Sequence, residues 1–420
     1  MKLILLITCI SFALLTVNAQ ILKTLTLEEC YRLARQNYPL VKQKKLIEKN
    51  KEYSIENASK GYLPQFSINA QATYQSDVTE IPIKIPNTNI PTISKDQYKI
   101  YTEVNQTIFD GGIIKLQKQS IEANAFVEDQ KLEVELYNLK ERINRLYFGI
   151  LLVDEQDTLT EILKKDIKNG ITKTNAAIAN GTALKSSADK LQAELLKVQQ
   201  HTIELKATRK AYIEMLSHFI NQSIDENPLL EKPASISITQ NITRPELILF
   251  KNQEKIIDVQ NKFLNAKNKP KVGLFLQAGY GRPALNFLKN NFTGYYIGGI
   301  RVNWPLSGFY TYKKEKDLLE NNRRSIDVQK ETFLFNIVNT LKGQKEEINK
   351  LQELIKSDEE IILLRNKIKN TALAQLDYGV INSGDYLREV NAEAEAKQNQ
   401  LLHGIQLLMA EYDQQTTSGN

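Results

Sequence analysis

The sequence predicts a mixed chain of long α-helices and transmembrane β-strands, built from one unit written twice. Three observations carry this. The first is an internal repeat: Leu63-Pro64-Gln65-Phe66-Ser67-Ile68-Asn69-Ala70-Gln71-Ala72-Thr73-Tyr74 returns about 206 residues later as Lys269-Pro270-Lys271-Val272-Gly273-Leu274-Phe275-Leu276-Gln277-Ala278-Gly279-Tyr280. The same offset pairs Pro39 with Pro245. After a shorter loop in the second copy, an offset of about 198 pairs Tyr98 with Tyr296, Val104 with Val302 and Gly181 with Gly379. The second observation is strict alternation. Phe66, Ile68, Ala70, Ala72 and Tyr74 interleave with Ser67, Asn69, Gln71 and Thr73, so one face is apolar and the other polar and uncharged. Three further runs alternate similarly, around Tyr98–Val104, Val272–Tyr280 and Tyr296–Trp304. About ten alternating residues is the length a tilted strand needs to cross a bilayer. The third is a proline-free stretch from Ile113 to Asn169. Its Leu132, Leu136, Leu139, Ile143, Leu146, Ile150 and Val153 alternate four and three apart, a coiled-coil seam.

In chain order, residues 1–19 read as a secretory signal peptide. Lys2 is followed by the apolar run Leu3–Leu15 and the small-residue site Val17-Asn18-Ala19. No later apolar run reaches 18 residues, so a membrane segment of the mature chain has to be made of strands. The first repeat is assigned to 20–240. It opens with a helix capped by Thr26, where Glu29 completes a capping box, and a second helix runs from Leu40 to Ser59. A strand pair follows over 66–76 and 97–108, joined by a loop whose Pro82, Pro86 and Pro91 forbid a continuous strand. A helix hairpin over 112–219 completes the copy. The second repeat, 241–420, has a helix at 245–267, strands at 271–281 and 294–305, and a hairpin at 310–412. Gly294, Gly298 and Gly299 fall inside its strand pattern, where they ease bending.

Composition narrows the function. The net charge of +6 comes from 55 basic and 49 acidic residues interleaved along helices, which is not a nucleic-acid footprint. Cys9 leaves with the signal peptide, so Cys30 has no disulfide partner within the chain. His201, His218 and His403 lack metal-ligand spacing, and neither a phosphate-binding glycine loop nor a nucleophile elbow is present. The sequence therefore predicts no enzyme and no cofactor.

The order of elements resembles the TolC-like outer membrane factor family. The likeness rests on the Leu25-Thr26-Leu27-Glu28-Glu29 opening, the Tyr62-Leu63-Pro64 junction, Phe109-Asp110-Gly111-Gly112 and two glycine-led hairpin tips. It covers essentially the whole mature chain. The resemblance implies a homotrimer in the outer membrane. Each chain would give four strands to one twelve-stranded barrel, continued by a coiled-coil α-helical barrel in the periplasm. It also implies an exit duct of efflux or type I secretion, with a periplasmic adaptor and an inner-membrane pump as partners. The tips Asn180, Gly181, Thr182, Gly379 and Val380 are then the docking candidates. The family's aperture aspartates fall on Asp385 and on Arg388, so an all-acidic ring is not expected. Interfacial aromatics are expected to be Phe66, Phe109 and Trp304 at the periplasmic boundary, with Tyr74, Tyr98, Tyr280 and Tyr296 at the outer one. A periplasmic coiled-coil spacer is the alternative; it predicts no bilayer-facing strands. A self-standing porin needs at least eight strands in one chain.

Overall fold

A computed structural model describes residues 24–80, 82, 92–224, 230–236 and 241–420. The signal peptide expected over 1–19 and the loop residues Pro86 and Pro91 lie outside them. The described elements run α1 (Leu27–Asn37), α2 (Lys42–Ser59), β1 (Gln65–Tyr74), β2 (Asp96–Phe109), α3 (Ile113–Tyr137), α4 (Leu139–Ala179) and α5 (Lys185–Ile220). They continue with α6 (Pro245–Lys267), β3 (Lys271–Arg282), β4 (Thr293–Asn303), α7 (Gly308–Asp377) and α8 (Ser383–Ser418).

The chain forms two compact units, each assembled from three separated stretches. One comprises the described residues of Met1–Tyr38, Leu139–Ile238 and Lys345–Asp413. Its core packs α1, α4, α5 and α8 through Leu27, Cys30, Tyr147, Ile150, Leu216 and Ile405. Tyr147 is fully buried, and its single hydroxyl proton is shared between the carbonyls of Leu25 at 2.7 Å and Glu231 at 2.6 Å. That satisfies the polar end of a large apolar side chain and ties down two loops. The whole seam read from the sequence, Leu132 through Val153, is buried. Arg209 on α5 pairs with Asp154 on α4 at 2.5 Å, so this partly buried charge has its partner.

Local signals set the boundaries. The Thr26 hydroxyl accepts from the Glu29 amide at 3.2 Å and starts α1, while the Glu29 carboxylate holds Arg32. Pro39 follows the α1 C-cap Tyr38. The stretch expected as one helix over Ile113–Asn169 differs in two ways. It is interrupted at Asn138, a weak helix former, and α4 then continues past Asn169 to Ala179.

The second unit comprises Pro39–Asn138, Thr239–Gln344 and Gln414–Asn420 over their described residues. It holds an antiparallel sheet in the order β1-β2-β3-β4. The sequence supplied the two hairpin pairs; the structure adds the β2–β3 pairing that joins them, Ile100 opposite Tyr280 and Val104 opposite Leu276. Asp110 caps α3, accepting from Gly112 N at 2.7 Å and Ile114 N at 2.6 Å. Gly111 and Gly112 sit at φ +76° and +91°, which only glycine adopts readily, and a Cβ on Gly111 would stand 2.9 Å from the Ala266 carbonyl.

Candidate functional site

The sheet is inverted with respect to water. Its register places Phe66, Ile68, Ile100, Leu274, Leu276 and Ile300 on one face, and all six are exposed. On the other face Asn69, Thr73, Lys99, Glu103, Asn105 and Gln277 are half-buried. There Arg301 reaches Glu103 at 3.3 Å and lies 4.6 Å from the Phe275 ring centroid. A soluble sheet would do the reverse. Exposing these six large apolar side chains forgoes about 1.5–3 kcal/mol each, in sum as much as the ~5–15 kcal/mol net stability of an ordinary domain. The face requires a cover. β1 and β4 are the ends of the strand order, so each leaves one row of backbone groups unpaired within the chain.

The predicted aromatics sit at both ends of this sheet. At the end where strands meet helices are Phe66, Phe109 and Trp304, all exposed; the Trp304 indole N–H donates to the Asn268 carbonyl at 3.0 Å. Trp304 lies just beyond β4 rather than inside it. At the loop end are Tyr74, Tyr98, Tyr280 and Tyr296. The sequence reading missed Phe292, which stacks on Tyr280 with centroids 5.7 Å apart, and Arg282, which covers Tyr98 and Phe292 and pairs with Asp96. A Phe in an Asn-rich loop gives no such signal.

The hairpin tips belong to the first unit and share one design. Gly181, at φ +73°, donates to the Ile178 carbonyl and Thr182 N to the Ala177 carbonyl, both at 2.9 Å. Gly379, at φ +68°, repeats this with Leu376 at 3.1 Å, and Val380 N with Gln375 at 2.8 Å. Both are Schellman caps. A Cβ at either glycine would meet nothing within 4 Å, so dihedral angle, not space, calls for glycine. Asn180 and Thr182 are exposed, as are Leu184, Tyr378 and Val380. The structure brings the tips together: the Ser383 hydroxyl donates to the Ser187 carbonyl at 3.1 Å, and Lys173 pairs with Asp377 at 2.5 Å. Asp385 lies in the first turn of α8, where the Asn382 side chain caps it at 3.1 Å, and pairs with Arg388 at 2.9 Å.

Above the tips the structure reveals a partly buried charge network centred on buried Glu393. Lys369 on α7 contacts Asp166 on α4 at 3.0 Å and Glu393 on α8 at 2.9 Å; Lys397 closes it on Glu393 at 2.7 Å. Burial opposes ionising Lys369, yet its bonds to Glu393 and Asp166 outweigh that and raise its pKa. Burial likewise opposes the Glu393 charge, and Lys397 and Lys369 outweigh it and lower the pKa. Tyr386 packs beside the network under Gly170, its pKa pushed up to about 12 chiefly by burial. These residues are scattered over 230 positions of ordinary solvated-helix composition, and no spacing links them.

No family profile matches the sequence, and no curated protein matches it. Solved structures do. The outer membrane protein VceC from Vibrio cholerae matches with a TM-score of 0.66 at 13% identity, over 94% of this chain and 96% of that one. CusC, solved in the course of transmembrane channel formation, gives 0.69 at 12% identity, over 94% and 92%. The open-state MtrE outer membrane channel of Neisseria gonorrhoeae gives 0.65 at 14%, over 94% and 89%. The chain has the fold of these outer membrane channels. At such identities the likeness fixes the path of the backbone and leaves side-chain roles to the geometry.

Proposed function

We propose that the chain is an outer-membrane exit duct, working as a passive channel that a periplasmic adaptor couples to an inner-membrane pump. The carrying observation is the inverted sheet with two unpaired edges. Lipid covers its apolar face, and its polar face lines a water-filled lumen. In hydrocarbon each unpaired backbone group costs several kcal/mol, so β1 of one copy must pair with β4 of another. Four strands close no barrel; three copies supply twelve, the homotrimer that the resemblance implies. The repeats 20–240 and 241–420 each contribute two strands and one hairpin to that barrel and its periplasmic continuation. The aromatic ends of the sheet then lie at the two membrane boundaries.

The tips are the docking surface, because Leu184, Tyr378 and Val380 leave apolar groups bare around two rigid caps. The Asp385–Arg388 pairs ring the aperture, and the Lys369–Glu393–Asp166 network holds α7 and α8 onto α4 behind it. The spacer alternative leaves the bare apolar face without a cover. Reconstitution into planar bilayers is the test. Discrete conductance steps from a detergent-stable trimer are expected; a folded, strand-containing monomer without conductance would refute the duct.

A further inference from the structure

The helix–strand end of the sheet carries a net positive charge that the described residues of the loop end do not. Four junctions meet there. Gly61 abuts Ile114, Gly111 abuts Lys269, Trp304 bonds to Asn268, and the Tyr312 hydroxyl donates to the Asn265 side chain at 2.5 Å. Across these junctions and the adjoining helix turns, 53–64, 110–120, 260–270 and 304–317, stand nine lysines and four carboxylates. Lys60 pairs with Glu56, Lys267 with Glu315 and Lys314 with Asp317, at 3.1, 3.6 and 3.7 Å. Lys115, Lys262, Lys269, Lys313 and Lys316 are exposed and make no ion pair among the described residues. At the loop end, the described residues 75–80, 82, 92–95 and 283–292 hold two lysines and two carboxylates. The lysine collar adjoins exposed Trp304, Leu306, Phe309 and Tyr310.

We infer that this collar binds the phosphates of anionic phospholipids in the periplasmic leaflet. The inference rests on the sheet spanning the membrane. Aromatic side chains beside unpaired lysines suit a headgroup layer: rings occupy the carbonyl level, and ammonium groups reach the phosphates. Each lysine held near an anionic surface is attracted to it, whereas in plain water unpaired like charges repel. The asymmetry also orients the barrel, with the charged end at the phospholipid leaflet and the neutral aromatic end opposite.

Trp304, the single tryptophan of the chain, stands in the collar and serves as the probe. The full chain is reconstituted into vesicles of phosphatidylethanolamine and phosphatidylglycerol at fixed ratio. In paired samples, shallow-brominated acyl chains are carried by one lipid or the other. Quenching of Trp304 per brominated lipid is expected to be about two-fold or more stronger when phosphatidylglycerol carries the bromine. That preference should fade in molar salt, and in both the triple variant Lys313→Gln/Lys314→Gln/Lys316→Gln and the double variant Lys115→Gln/Lys269→Gln. Equal quenching by the two lipids at low salt, or a preference unmoved by salt and by both variants, overturns the inference while leaving the duct intact. Absence of quenching by either lipid overturns the membrane reading itself.

Discussion

At the repeat offset read from the sequence, α7 falls on α3 and α4 together, yet α4 and α7 are buried very differently. Of the 41 residues of α4, 13 are buried; of the 70 of α7, only 4 are. The shortfall is not a matter of polarity. Leu318, Val328, Phe335, Leu363 and Leu364 of α7 are each more than half exposed. In α4 large apolar groups have partners within the chain, because α1, α5 and α8 close over Tyr147, Phe148 and Ile150. In the proposed trimer the difference separates what one chain completes from what further copies would cover: α4 is stabilised by folding, α7 would be by assembly.

Core truncation should give the largest effect. Ile150→Ala removes a fully buried side chain from α4 and should cost about 2–5 kcal/mol, seen as a lowered melting temperature whatever the protein concentration. Phe335→Ala is the matching change on α7. It should leave the chain folded but weaken assembly by about 1–3 kcal/mol, read as trimer dissociation at lower temperature on a semi-native gel. An unchanged trimer would break the comparison. At the tips, Gly181→Val or Gly379→Val forces a β-branched residue into the left-handed region at a cost of about 1–2 kcal/mol. Export should fall while trimer and conductance persist.

The charge network gives a smaller, pH-gated effect. The lowered pKa of Glu393 contributes stability above its unfolded pKa, lost as pH falls through the folded value below 4.5. The raised pKa of Lys369 contributes below its unfolded pKa, and that is lost only as pH rises through a value above 10.5. The protection factors of amides along lower α7 and α8, with the intrinsic pH dependence of exchange divided out, should therefore stay flat near neutrality and fall on acidification. A protection factor that changes between neutral and mildly alkaline pH would contradict this. Arg388→Glu should have the smallest energetic effect, because exposed pairs are worth roughly 0–1 kcal/mol. Repulsion from Asp385 around a ring should still raise conductance at low salt, and an unchanged conductance would separate the pair from gating.

Periodicity made the strands and the heptad seam legible, since alternation and the four-three spacing are written residue by residue. The glycine tips were legible because a positive φ leaves little choice of residue. Asn138 interrupts the long helix on weak propensity, which sequence spacing does not resolve. The Lys369 network and the lysine collar were invisible for another reason. Each draws its members from segments far apart in the chain, and each member alone has the composition of a solvated surface. The β2–β3 pairing that makes one sheet of two hairpins was likewise a long-range fact.

The central claim is that the sheet turns its apolar face to lipid and its polar face to water. Single cysteines placed along β1, from Phe66 to Thr73, test it with a membrane-impermeant thiol reagent on outer-membrane vesicles. Cys30 gives little background, being fully buried with its thiol pushed up to about 12 by burial and by Glu29 and Glu28. The account predicts labelling of period two, with Ser67, Asn69, Gln71 and Thr73 reactive and Phe66, Ile68, Ala70 and Ala72 protected. Uniform labelling, or reactivity at the apolar positions alone, would contradict it.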